Sequence, residues 1–237
     1  SSLFTTFDNS FTGKHFTMSK NIKNINQGYI VSSTGKYMNI NNEYTEESIK
    51  NNISISSALP IIDYTYIMKD PTCFGVINYL EEGNIRNTGH NYFFNLQKKS
   101  GDNRIIVNSI GEGAIWISNY NGPLENGDFI TSSPIPGIGM KQDEDYITNY
   151  TVGKITMDCD FNPKIINIKK SVKTIKNGKL DNYLDEEGNI IYQDTGKKEE
   201  EYEIKYIKLN GDVIEEGEYN SNIDYKMAYV GCTYHCG

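Results

Sequence analysis

The residues able to do chemistry are few and scattered. The tail "GCTYHCG" sets Cys232, His235 and Cys236 close together, three soft or borderline donors of the kind that bind zinc. Their spacing is not a paired C-x2-C, and a mononuclear centre needs a fourth ligand, so no metal is expected and a packed C-terminal turn is. None of the histidines, His15, His90 and His235, stands beside a nucleophile elbow, because "VNSIGEG" lacks the G-x-S-x-G frame. Exposed or satisfied imidazoles are the expectation. Glu112 lies between two glycines in "GEGAIW". A carboxylate held on such a corner and stripped of water would acquire the raised pKa of a catalytic acid. The plainer outcome is that the glycines supply unusual backbone angles and the glutamate caps nearby amides. Asp128 in "ENGDFIT" feeds a strand from a tight turn, where aspartate commonly accepts backbone N–H bonds. There is no Walker loop, Rossmann fingerprint or EF-hand spacing, and "GPLENGD" is too poor in carboxylates for calcium. No cofactor is expected.

The elements that would carry these residues are strands. "GEGAIWISNYNGPLENGDFITSSPIPG" alternates β-formers with glycine turns and holds the chain's single tryptophan, Trp116. Alternation predicts Trp116 buried, with Ile115 and Ile117 on the opposite face. "GYIVSSTGKYMNI" reads as strand, Thr34-Gly35 turn, strand, and "TCFGVIN" and "ITMDCDF" are strand-like, so Cys73 and Cys159 are expected as buried free thiols. Four cysteines are too few and too scattered for a disulfide framework. The Pro134–Gly137 corner belongs at an edge or turn. Past Pro163 the composition shifts and hairpin punctuation appears at "KNGKL", "EEGNI" and "LNGDV". Around the last, Asn210-Gly211 predicts a two-residue turn with φ > 0 at both positions. "GKKEEEYE" reads as a solvated loop.

The fold class expected is therefore mainly β: a Gly-turn-rich body, barrel or sandwich-like, with a C-terminal β-meander and little helix. Residues 1–28 form an N-terminal arm, 29–162 the β domain, and 163–237 the meander with its cysteine tail. A chain of 237 residues can bury a core without metal or disulfide. Its formal charge of −8 argues against a nucleic-acid partner, and no apolar run reaches membrane-spanning length.

"GDNRIIVNSIGEGAIWISNYNGPLENGDFITSSPIPGIGMKQ", followed by "NYTVGKITMDCDF", closely resembles the autoproteolytic intramolecular chaperone domain of phage neck-appendage proteins. Proteins of large DNA viruses of algae and protists are similar too, down to a tail like "YVGCTYHCG". The strong match covers roughly residues 70–161. The resemblance implies the C-terminal assembly domain of a viral fibre or appendage, found in a virion or infected host cytoplasm. Its partners would be two further copies, in a homotrimer, and the upstream fibre region. Such a module makes sense for fibres, whose non-local pairing is slow and whose exposed edges misassemble.

Self-cleaving members cut before a serine and use an acidic residue near the new N-terminus. That implies a single-turnover peptidase cutting before Ser1; Glu112 and Asp128, singled out above from their own surroundings, are this chain's other catalytic candidates. This sequence departs from the pattern: "SSLFTTFDNSFTGKHF" has no glutamate, and "FTGKH" stands where the family carries a "DYAE"-like stretch. A non-enzymatic assembly domain is therefore the first reading. The alternatives are a self-cleaving chaperone released before Ser1, and a receptor-binding tip suggested by the Tyr and Asn content. Phe4, Phe7, Phe11 and Phe16, in an otherwise polar arm, are the expected subunit contacts.

Overall fold

In the computed structural model, residues 13–19, 21–22, 25–38, 53–54, 57–81, 85–87, 95–97 and 104–236 are described. Ser1, Phe4, Phe7, Phe11 and His90 lie outside them. The described chain is mainly β, with only two short 3-10 turns at Asn119–Asn121 and Glu216–Glu218.

The first half supplies β1 (Lys14–Thr17), β2 (Ile30–Met38), β3 (Ile53–Ser54), β4 (Ser57–Tyr64), β5 (Cys73–Leu80), the short pair β6 (Ile85–Asn87) and β7 (Asn95–Gln97), and β8 (Ile105–Asn108). Six of these form one sheet in the order β1-β8-β5-β2-β4-β3. The expected Thr34-Gly35 turn is absent. β2 runs straight through it, and Gly35 (φ 73°) lies where the β2–β4 register slips between Ser33 and Tyr37. A bulge absorbs the glycine without reversing the chain.

The second half supplies β9 (Ile110–Ser118), β10 (Phe129–Ser132), β11 (Gly139–Lys141), β12 (Thr151–Ile155), β13 (Ile165–Ser171), β14 (Lys173–Lys176), β15 (Lys179–Asn182), β16 (Tyr192–Glu200), β17 (Glu203–Lys208), β18 (Val213–Ile214) and β19 (Asp224–His235). Strands β12-β10-β11-β9-β19 follow one another, and β12 also pairs with β19, closing a five-stranded barrel. Full closure removes the free edges of those strands.

Alternation along β9 sorts its side chains between two cores. Ile115 and Ile117 are fully buried, as are Ile130, Val152 and Ile155 on the barrel's other strands. Trp116 faces the other way, 5% exposed, into a cluster with Val31, Ile62, Ile77 and Val107 of the six-stranded sheet. Its ring lies tilted against Tyr229 at 5.2 Å, and its backbone N–H donates to the Gly28 carbonyl at 3.0 Å. The tryptophan fastens the barrel to the sheet.

The expected C-terminal meander is divided. Residues 162–203 make a unit of their own, whereas residues 204–237 return to the first unit. The reason is β19, which carries an alternating buried face (Val230, Cys232, Tyr234) and supplies the strand between β9 and β12.

Candidate functional site

Strand alternation decides what the tail can do. Cys232 and Tyr234 are buried, while Thr233 and His235 occupy the other face of β19, where their side chains contact each other at 3.2 Å. His235 is therefore turned away from Cys232, and among the described residues no cluster of acidic, histidine or cysteine side chains is arranged to hold a metal. Cys236 follows the strand, its thiol against the Val152 carbonyl at 3.4 Å. Tyr234 explains one glycine. Its hydroxyl donates to the Ala114 carbonyl at 2.7 Å, and a Cβ on Gly113 would lie 2.4 Å from that oxygen. The ring covers the glycine across the strand pair.

Glu112 is exposed, opposite Thr233 in the β9–β19 register. Among the described residues no hydrogen bond or ion pair holds it. Asp128 closes its turn by accepting the Glu125 N–H at 2.8 Å, and its carboxylate pairs with Lys141 at 2.7 Å. No hydrogen bond or ion pair links these two carboxylates. His15 sits on β1 with Nε2 2.9 Å from the Ser109 hydroxyl, and burial lowers its pKa, favouring neutral imidazole. Ser109 itself is 3% exposed, and its hydroxyl also reaches the Gly13 carbonyl. A nucleophile so enclosed serves to pin β1 to the β8–β9 corner.

Cys73 lies beside a buried carboxylate, Asp70. Burial pushes the Asp70 carboxyl up, but bonds from Ser32, from the Thr72 hydroxyl and N–H, and from Thr65 outweigh it and hold it below its ordinary value. Burial, and then the Asp70 charge, push the Cys73 thiol up to about 11; burial pushes Cys232 to about 12. Thiols so raised are protonated and unreactive at neutral pH. At pH 8 the thiolate fraction of Cys73 falls about 100-fold below that of an ordinary cysteine. In Ellman titration at that pH, Cys73 and Cys232 should react only after unfolding in guanidinium; prompt native reaction at either would refute the assignment. Linkage runs the same way. A raised thiol pKa stabilises the fold below about pH 9, and that contribution disappears as pH climbs through 11 to 12. The urea midpoint should therefore fall steadily above pH 9.

In the unit at residues 162–203 only Tyr202, at its C-terminal end, is buried. β13 pairs antiparallel with β16, and β14 with β15. Val172 joins the two ribbons by donating to Ile191 and accepting from Tyr183. No residue between Asn162 and Glu201 is buried, yet Ile165, Ile175, Leu180 and Tyr192 are 63%, 75%, 74% and 57% exposed. A shallow concavity of about 350 Å³ is lined by Ile175, Asp181, Tyr183 and Leu184. Sequence reasoning marked the hairpins here but missed their lack of a core. The available signal was isoleucines separated by lysines, with no matching apolar partner segment nearby. Of the phenylalanines expected at contacts, Phe16 is described: it lies on edge strand β1, 48% exposed, with the Arg104 guanidinium 5.6 Å from its ring centre.

A second exposed apolar feature lies on the first unit. Tyr66, Ile67 and Met68 are 66%, 52% and 44% exposed, and Tyr146 and Ile147 are 63% and 60%. Lys69 ties their two loops together. Its ammonium meets Glu144 at 2.8 Å and Asp143 at 2.9 Å and lies 5.6 Å from the Tyr150 ring centre. The hydrogen bonds that Lys69 donates to Glu144 and Asp143 push it above the ordinary lysine value. Its φ of 54° is rare outside glycine. Ser132 anchors the first loop through bonds to the Ile67 carbonyl and the Asp70 N–H.

No family model matches the chain, and the searches of curated proteins and of solved structures return no match either.

Proposed function

We propose that this chain is an assembly domain of a viral fibre or appendage, holding copies of itself in a trimer through the unit at residues 162–203. The observation that supports this is the exposure of large aliphatic and aromatic side chains on ribbons with no core. A two-stranded ribbon is at best marginally stable alone in water, and apolar patches of this kind mark association surfaces. The viral setting, a virion or infected host cytoplasm, comes from the resemblance of residues 70–161 to appendage chaperone domains. Glu112 is in water and Asp128 is engaged by a turn and by Lys141, so neither supports a catalytic reading.

Deleting the ribbons tests the proposal. The Glu201 N–H donates to the Lys164 carbonyl at 2.9 Å, so a short Gly-Ser linker can replace the residues between. Light scattering at micromolar concentration should give a trimer for the parent and a monomer for the deletion, both with cooperative thermal unfolding. A monomeric parent, or a deletion that still assembles, would overturn the reading.

A further inference from the structure

We infer that Asn177, at the tip of the β14–β15 hairpin, is a site of self-modification, where the Gly178 backbone nitrogen and water convert the side-chain amide to a carboxylate. Asn-Gly pairs support this chemistry because no Cβ hinders the approach of the following nitrogen. The Gly178 nitrogen attacks Asn177 Cγ and forms a C–N bond, while the Cγ–Nδ2 bond breaks. Ammonia leaves with the proton that the glycine N–H gives up, and a succinimide remains. Water then opens the ring at either carbonyl, leaving aspartate or isoaspartate. Nothing is oxidised or reduced, and water is the only other reactant.

The chain has four such pairs, and the fold restrains three of them. Attack needs a glycine N–H free to lose its proton and a side-chain amide free to turn onto it. Gly122 donates its N–H to the Asn119 carbonyl at 3.1 Å, Gly127 to Ile155 at 3.0 Å and Gly211 to Lys208 at 2.9 Å. Asn121 Nδ2 is held by the Lys141 carbonyl at 2.9 Å and by Asp143 at 2.7 Å, and Asn210 Nδ2 by Asp212 at 2.7 Å. Asn126 places its own N–H on the Asp158 carboxylate at 2.8 Å. At the hairpin tip these restraints are missing. Among the described residues neither the Gly178 N–H nor the Asn177 amide has a hydrogen bond, and a Cβ on Gly178 would meet nothing within 4 Å.

Charge separates the same sites. Loss of the glycine proton creates a backbone anion, which a nearby carboxylate opposes and an ammonium favours. Asp143, Asp158 and Asp212 stand beside the three restrained pairs. Asn177-Gly178 lies instead between Lys176 and Lys179, which face each other across the hairpin. Isoaspartate also carries the chain through the side-chain carboxyl and so lengthens the backbone, and a two-residue turn has no slack to absorb that.

Incubation of the full chain in heavy-oxygen water at neutral pH, followed by peptide mass spectrometry, is the test. The label enters only at amides converted during the incubation. Asn177 should gain label at least about fivefold faster than Asn121, Asn126 or Asn210, the factor expected when a hydrogen bond must break before attack. In guanidinium, where the fold no longer restrains the chain, that lead should disappear. Asn177→Gln, which must close a larger ring, should lose the label at the tip and leave the other three sites unchanged. Labelling of a restrained site as fast as Asn177 in the folded chain would overturn the assignment. So would an Asn177 labelled in guanidinium but not in the native chain, and a lead of the same size in guanidinium would refute the protection ascribed to the fold. Light scattering on the same samples reads assembly separately, so failure here leaves the assembly reading standing.

Discussion

Replacing Trp116 with alanine should remove about 3–5 kcal/mol of unfolding free energy, the usual range for deleting a buried large aromatic. The site has little room to collapse. Ile115 and Ile117 are fully buried on the other face of the strand, and the Tyr229 ring and the Lys205 ammonium, 4.6 Å from the indole, lie against Trp116. Beyond the ring sit Val31, Ile77 and Val107, so the cavity would open between barrel and sheet. Trp116→Phe keeps a ring against Tyr229 and should lose about 1–2 kcal/mol. Ile110→Ala, on the same strand at a position 48% exposed, should stay within about 0.5 kcal/mol of the parent. Urea unfolding followed by circular dichroism, at one protein concentration throughout, gives all three values. An alanine variant with the parent's midpoint would mean that the tryptophan does not join the two halves.

Local rules read the strands well and the turns unevenly. Trp116 and its isoleucine neighbours follow from alternation alone, because a period of two is set by the backbone. Two of the four Asn-Gly pairs show where such rules stop. Asn177 and Gly178 have φ of 54° and 74°, and they form the two-residue turn that the dipeptide favours between Lys176 and Lys179. At Asn210-Gly211 only the glycine is left-handed, at φ 92°. There Gly211 donates to Lys208, and Lys208 donates to Asp212, making a three-residue loop around a type I turn. The register, Ile207 opposite Val213, decided the loop length, and register is a property of two strands rather than of one dipeptide. Glu112 shows the same limit. Its glycines suggested a constrained corner, but Gly113 answers to the Tyr234 ring, a residue far along the chain. The split at residues 162–203 was half visible as a composition shift near Pro163. The return was not, because nothing local in "KMAYVGCTYHCG" says which strands it will separate.

Truncation after Tyr219, removing β19, should prevent the body from folding at all. β19 pairs with β9 from Met227–Ser118 to His235–Ile110 and with β12 from Gly153 to Ile155. Its loss exposes the facing edges of both strands and opens the barrel. Unpaired edges carry rows of free N–H and C=O groups that template aggregation. The strand also takes with it Met227, Ala228, Val230, Cys232 and Tyr234, each 5% exposed or less. At about 1.5–3 kcal/mol for each large apolar side chain, this approaches the whole 5–15 kcal/mol that keeps a typical domain folded. The expected product is an aggregating or molten chain, with near-UV circular dichroism lost and no cooperative melt. A synthetic peptide spanning residues 220–237, added during refolding, should restore the near-UV signal, because barrel closure asks for a strand and not for a covalent link. The contrast with the ribbon deletion is the decisive part: removing the ribbon unit should leave folding intact, while removing the final strand abolishes it. A truncated chain with native near-UV dichroism and a cooperative transition would show that the remaining strands close without β19.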